Sequence, residues 1–475
     1  MKTLFLFFWL GLTAGALAQI GMGGQPHPSA VLDLKSPTNN QGLLIPRLST
    51  AQRNAIASPA VGLLVFDLDK GTLFLHDGQN WLPLATTNTN NLLPIERTAS
   101  DAADNNNFGY SVAISGDYAI VGAYGKTIGT NARQGAAYVF IRIGNTWTQQ
   151  AILTASDGTA NDYFGYDVAI SGDYIIVGAI RKLIGSNTNQ GAAYVFVRSG
   201  TTWTQQARLV ASDGAANDSF GFSVALSGNY AIVGANQKTV GSNTNQGAAY
   251  AFLRSGITWT QQARLTANDG ALGDYFGSSV AISGDYVVIG ASQKTIGSNS
   301  YQGAAYVFVR GGGTWTQQAR LTASDGANND FFGRSVSIDG DYVVVGALYK
   351  VINATINQGG AAYVFTRNGN AWSQQIRLTA SDVASPDNFG SGVAISGDYV
   401  LIGASSKTIN GNILQGAAYL FQRINSTWTQ IRRITDNSPS RTYYGFAVGI
   451  SNGSFIIGGY GFENLKGKVG FGTVD

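Results

Sequence analysis

From residue 108 onward, short apolar runs alternate with short polar turns. In residues 108–163, Tyr110-Ser111-Val112-Ala113-Ile114-Ser115 reads as a strand with small residues at alternate positions. Gly116-Asp117 is a tight turn, where glycine tolerates the positive φ that such turns need. Tyr118-Ala119-Ile120-Val121-Gly122-Ala123 is a second strand, apolar on both faces. A polar stretch, residues 124–134, leads to a third strand, Ala136-Ala137-Tyr138-Val139-Phe140-Ile141. Gly144-Asn145 turns again, and Trp147-Thr148-Gln149-Gln150-Ala151-Ile152-Leu153 is a fourth strand, polar at most alternate positions. Asp157-Gly158 opens the next loop. Short strands with regular turn signals predict an all-β fold. The first two strands, apolar or small on both faces, belong where neighbouring sheets cover both sides. The half-polar fourth belongs outermost.

The pattern recurs. Its anchor is an aromatic-Gly pair at Phe108-Gly109, Phe164-Gly165, Phe220-Gly221, Phe276-Gly277, Phe332-Gly333, Phe389-Gly390 and Tyr444-Gly445, in steps of 56, 56, 56, 56, 57 and 55 residues. A fixed period of this size marks a repeat architecture. Four-stranded sheets packed face to face around an axis give a seven-bladed β-propeller; a solenoid of the same strands is the alternative. The seventh copy supplies three strands, at residues 444–451, 454–460 and 468–475, and lacks the Trp-Thr-Gln-Gln strand. Before the first copy, Thr98-Ala99-Ser100-Asp101 matches Thr154-Ala155-Ser156-Asp157 at the end of a fourth strand. Residues 92–99 are therefore expected to pair into the last blade and close the ring, removing an open sheet edge.

Composition narrows the chemistry. Of 475 residues, 44% are hydrophobic, enough for a large core, and only 12% are charged, so Asn, Gln, Ser and Thr supply the polar surface. A formal charge of +3 gives no case for nucleic acid. With no Cys there is neither a disulfide framework nor a thiol nucleophile, and both His residues, His27 and His76, lie outside the repeats. Lys2, the apolar run at residues 4–10 and Ala16-Leu17-Ala18 read as a secretory signal over residues 1–18, with Gln19 beginning the mature chain. No later apolar run is long enough to span a membrane as a helix. The expected location is outside the cell, secreted or at a bacterial cell surface.

Phe-Gly, a hydrophobic strand, Val-Gly-Ala and then Gly-Ala-Ala-Tyr-Val-Phe together resemble the FG-GAP repeat, the family of the propeller at the head of integrin α chains and of many bacterial extracellular proteins. The resemblance covers residues 92–475 and implies a propeller used for extracellular recognition or adhesion. Two features depart from it. The Pro of Gly-Ala-Pro is absent: Gly122-Ala123, Gly178-Ala179 and Gly234-Ala235 continue with Tyr124, Ile180 and Asn236. The acidic calcium loop of the integrin type is replaced by short turns such as Ser115-Gly116-Asp117-Tyr118. One carboxylate per hairpin cannot fill the about six to eight oxygen positions of Ca²⁺. No metal or other cofactor is expected.

Residues 19–85 differ in kind. Ala30-Val31-Leu32-Asp33-Leu34 alternates like a strand, and Gly42-Leu43-Leu44-Ile45-Pro46-Arg47-Leu48 follows. Residues 50–56 suit a short helix, and residues 61–66 and 72–76 a hairpin running on to Trp81. The segment resembles small β-rich modules ahead of repeats or tail-fibre-like parts in secreted bacterial and phage proteins. It suits attachment or oligomerisation, or else a spacer. Residues 86–91, rich in Thr and Asn, read as a linker to the propeller at 92–475.

Chain direction puts the loops between second and third strands, and those between blades, on one face. Long loops on a rigid scaffold are where binding usually resides. That face carries Lys126, Lys182, Lys238, Lys294, Lys350 and Lys407, with Phe462 in the seventh place. It also carries Asp157, Asp213, Asp269, Asp325 and Asp382, flanked in the series by Asp101 and Asp436. A further set, Asp162, Asp218, Asp274, Asp330 and Asp387, precedes the anchors. These are either a polar platform for a glycan or anionic ligand, or exposed ion pairs and Asp turns with a structural role. The Trp ring, Trp147, Trp203, Trp259, Trp315, Trp372 and Trp428, suits sugar stacking or packing on the next strand. Arg142, Arg198, Arg254, Arg310, Arg367 and Arg423 read as solvated edge charges. The copies are nearly interchangeable; the main breaks are Arg334 and Asp339, Gly359-Gly360 and Pro386. No blade gathers a unique acid–base pair, so the leading expectation is a non-enzymatic exported binding or adhesion protein for a protein or glycan. The alternatives are a polysaccharide hydrolase or lyase using pairs such as Asp157 and Asp162, and a structural surface component.

Overall fold

The computed structural model describes residues 20–22, 32–34, 45–70, 72–83, 94–438 and 441–474. The expected signal segment and the linker at 86–91 lie outside these residues. The chain divides into two units, residues 1–91 and 92–475.

In the first unit, Ile20–Met22 pairs in parallel with Leu32–Leu34. A four-stranded sheet joins Arg47–Leu48, Leu64–Asp67, Thr72–His76 and Trp81–Pro83. The expected hairpin is its antiparallel centre, with Leu64 opposite Leu75. Thr50–Asn54 is a short helix: Ser49 Oγ accepts from Gln52 N, and Gln52 Oε1 accepts from Ser49 N. Arg53 packs its guanidinium 3.8 Å from the Phe74 ring centre and donates from Nε to buried Asp67 at 2.8 Å.

The second unit is all-β and propeller-like. Its described residues form seven four-stranded sheets. The second sheet shows the plan: Phe164–Ser171, Tyr174–Ala179, Ala192–Ser199 and Thr202–Leu209, an antiparallel meander in chain order. The first sheet differs at its start, where strand begins only at Val112 rather than at Tyr110. In the seventh, Ala447–Ser451, Ser454–Gly459 and Lys468–Thr473 are completed by Ile95–Arg97, which pairs antiparallel with the last of them, Ile95 opposite Phe471. Of residues 92–99, expected to pair into the last blade, Ile95–Arg97 form that strand.

Each core lies between sheets. Ile120, Val139 and Leu153 of the first sheet cluster with Phe164, Val168 and Val177 of the second. Phe108, Val112 and Ile114 of the first cluster likewise with Ile456, Val469 and Phe471 of the seventh. The anchor rings, such as Phe164, are fully buried, worth about 1.5–3 kcal/mol each by area removed from water. Two glycines set the sheet spacing. Gly165 has φ +87°, and a Cβ on Gly178 would stand 2.0 Å from the carbonyl oxygen of Gly221 in the next sheet.

Candidate functional site

The loops after the second strands and those between sheets do lie together. Asn161 N donates to Ala132 O at 2.9 Å, and Phe164 N to Gln134 O at 2.9 Å. Where they meet, each lysine of the expected ring is turned inward. Lys182 is 5% exposed. Its Nζ donates to Asp162 Oδ2 at 2.9 Å and to the main-chain oxygen of Asp157, and lies 3.7 Å from Asp157 Oδ2. Asp157 is clamped further: Tyr194 Oη donates to Oδ1 at 2.7 Å and Arg208 Nη1 to Oδ2 at 2.6 Å. Partial burial works against the charged Asp157, but the Tyr194 hydroxyl, Arg208 and Lys182 outweigh it and hold its carboxyl below the usual range.

Four further sheets repeat the clamp with Lys238–Asp213–Asp218, Lys294–Asp269–Asp274, Lys350–Asp325–Asp330 and Lys407–Asp382–Asp387. Lys126 pairs with Asp101 Oδ2 at 2.8 Å alone, since Asn106 replaces the second acid. At the seventh place, Lys468 supplies the ammonium that Phe462 does not. It is 1% exposed, 2.6 Å from Asp436 Oδ2 and 3.2 Å from Glu96 Oε1. Sequence reasoning missed this residue because it enters from the third strand, eliminating the expected alignment. The platform of free lysines and acids is therefore not what the structure presents: the two sets are consumed by each other. Asp157, part-exposed, and Asp162, buried, share one ammonium, and their counterparts in four further sheets do the same, an arrangement that locks the loops together.

The other rings also pack. Trp203 Nε1 donates to Gln150 Oε1 of the preceding sheet at 3.0 Å, and Trp147 stacks on Phe471 at 4.4 Å. Five of the six arginines expected as solvated edge charges lie instead over tyrosines of the preceding sheet, as Arg198 over Tyr118 at 4.4 Å and Arg423 over Tyr342 at 3.9 Å, while Arg142 donates to Asp117 Oδ1 and Ser454 Oγ.

What remains distinctive is a central pocket of about 240 Å³, lined by all seven sheets. A valine from each contributes, from Val112 to Val448. Two positions after each anchor phenylalanine or tyrosine, the sheets offer Tyr110, Tyr166, Phe222, Ser278, Arg334, Ser391 and Phe446. One side is thus aromatic, with Tyr110 4.9 Å from Phe446 and 5.1 Å from Tyr166, and Tyr460 and Tyr124 joining it. The other side carries Ser278, Ser391 and Arg334. Asp167 accepts from Ser111 Oγ at 2.6 Å and Val224 N at 2.8 Å, and burial pushes its carboxyl up to about 6. The sequence signal for this asymmetry was the variable residue beside an invariant motif; Arg334 alone stood out there. The other break in the fifth copy, Asp339, accepts from Gly397 N at 2.7 Å and joins neighbouring turns.

A family model described as phage tail like trimerisation region matches residues 19–97. No curated protein matches the chain. The family model for the FG-GAP repeat matches residues 97–140, 147–196, 203–252, 259–308, 315–365 and 372–421, more than half of the chain. With its anchors, glycine contacts and interlocked sheets described above, the chain belongs to the FG-GAP repeat family.

Proposed function

We propose that this is an exported, non-enzymatic binding or adhesion protein, built on a closed seven-bladed ring, that meets an extracellular protein or glycan with its long-loop face. The reading is carried by the distribution of asymmetry. Groups repeated from sheet to sheet are paired with one another, whereas Tyr110, Phe222, Arg334 and Tyr349 vary and line open cavities at the long-loop ends of the sheets. A rigid frame with locally varied rim residues suits recognition. The sharing of one core by the first and seventh sheets supports closure. The resemblance of residues 19–97 to a trimerisation region favours three copies acting together, and so gains in avidity without new contacts. Full-length protein on a combined glycan and extracellular-protein array tests the reading. Selective capture is expected; signal at background throughout would refute it.

A further inference from the structure

Beside the central pocket, and sharing Phe222, Ser278 and Arg334 with it, is a cleft of about 310 Å³ between the third, fourth and fifth sheets. Ligand pockets run from about 300 Å³ upward, so this one suits a single sugar-sized unit. Its walls carry the rings of Phe222, Tyr275, Phe331 and Tyr349, with Phe331 and Tyr349 edge to face at 5.3 Å. Its polar groups are incompletely used. Asn236 is 4% exposed, and its Oδ1 has no hydrogen-bond partner, a buried acceptor waiting for a donor. Among the described residues, the Arg334 guanidinium has neither a hydrogen bond nor an ion pair, unlike the arginines ending the third strands. Gln237 and Gln293 add amide groups to the lining.

These features select a ligand by elimination. A bare inorganic anion would pair with Arg334 but leave Asn236 Oδ1 and the aromatic walls unused. A neutral sugar would offer hydroxyl donors and apolar ring faces but leave the guanidinium unpaired. A uronate offers all three: ring faces, hydroxyls and a carboxylate. We propose that this cleft is a subsite for one uronate residue of an acidic polysaccharide, with Arg334 taking the carboxylate and Asn236 Oδ1 accepting from a ring hydroxyl. The assignment rests on the long-loop face being the binding face, and narrows its ligand.

The repeats supply variants that the fold already accommodates. Ser278 and Ser391 occupy the place of Arg334, Ser292 and Ser405 that of Asn236, and Gln237 and Gln293 that of Tyr349. Calorimetric titration of the full chain would use uronate oligomers and neutral hexose oligomers of matched length, with melting curves as the folding check. The uronate oligomer is expected to bind and the neutral one to bind at least about tenfold more weakly; Arg334→Ser should erase that preference, the scale of one charge-assisted hydrogen bond. Asn236→Ser and Tyr349→Gln should weaken both ligands. Equal affinity for the two oligomers, or undiminished uronate binding by folded Arg334→Ser, would overturn the assignment. Array capture of a protein or neutral glycan with no uronate binding would also overturn it while sparing the broader reading; an array blank throughout would remove both.

Discussion

The most consequential side chains are the lysines that turn inward. An ammonium between two carboxylates and a main-chain oxygen fills the role a bound cation could take, and brings it covalently attached. Excess EDTA or added Ca²⁺ is therefore expected to leave the melting temperature unchanged. Replacing Lys182 by Met strands Asp162 in a buried site, and should cost about 3 kcal/mol by denaturant titration, in the range for breaking a buried pair. The acids give the pH dependence a sign. Asp101, Asp157, Asp213, Asp269, Asp325 and Asp382 are all held below the ordinary carboxylate range, against partial burial, by their hydroxyl and cationic partners. Their contribution is full above the unfolded value, about 3.9, and is lost as pH falls through the lower folded values. Burial raises Asp274, Asp330 and Asp387 despite their lysines; these oppose the trend, favouring the fold below the unfolded value and losing that contribution as pH rises through the folded one. The first group is larger, so melting curves should show a net fall in stability on acidification below about pH 4. The residue types and spacing of the clamp were legible in the sequence. Their burial was not, because it depends on two loops, 20 to 25 residues apart, closing over each other.

At the level of strands and sheets, the sequence was most transparent. Alternation, turn glycines and the polarity gradient located four strands per repeat, because one short period determines which side chains face a neighbour. The start of the first sheet was less legible: residues 110–111 carry strand-like side chains, yet its first strand begins at Val112. The sheet spacing was hidden too, since glycine announces freedom of φ but not who approaches it. Gly178→Ala would drive a methyl into Gly221 O, and should destabilise by about 3 kcal/mol, an overpacking cost. Gly200→Asn, at a turn with φ +61° and open space around it, should change the denaturation midpoint little.

For the second unit as a whole, the recognition of near-copies gave the architecture, while the departures from them carry the candidate site. Arg334 was visible as a break; the aromatic cluster of Tyr110, Tyr124, Tyr166 and Tyr460 was not, because it assembles residues from three sheets. The proposed closure makes a distinct prediction. Deleting residues 94–99 removes the strand partner of Lys468–Thr473, the bond from Arg97 Nε to Trp147 O at 2.8 Å, and Glu96 beside Lys468. The truncated chain should lose protection of the Phe471 strand in hydrogen exchange and be cut there first by protease. Unchanged protection would refute closure by these residues.

The pairing of Ile95 with Phe471 also bears on biogenesis. The earliest-made strand of the array finds its partner only when the last-made one has emerged. A ribosome that stalls, or a message that ends early, yields a product whose leading strand has nowhere to dock and whose edge stays open to quality control. The array thus carries its own receipt for its seventh sheet, written in three main-chain pairings between residues 95–97 and 469–471.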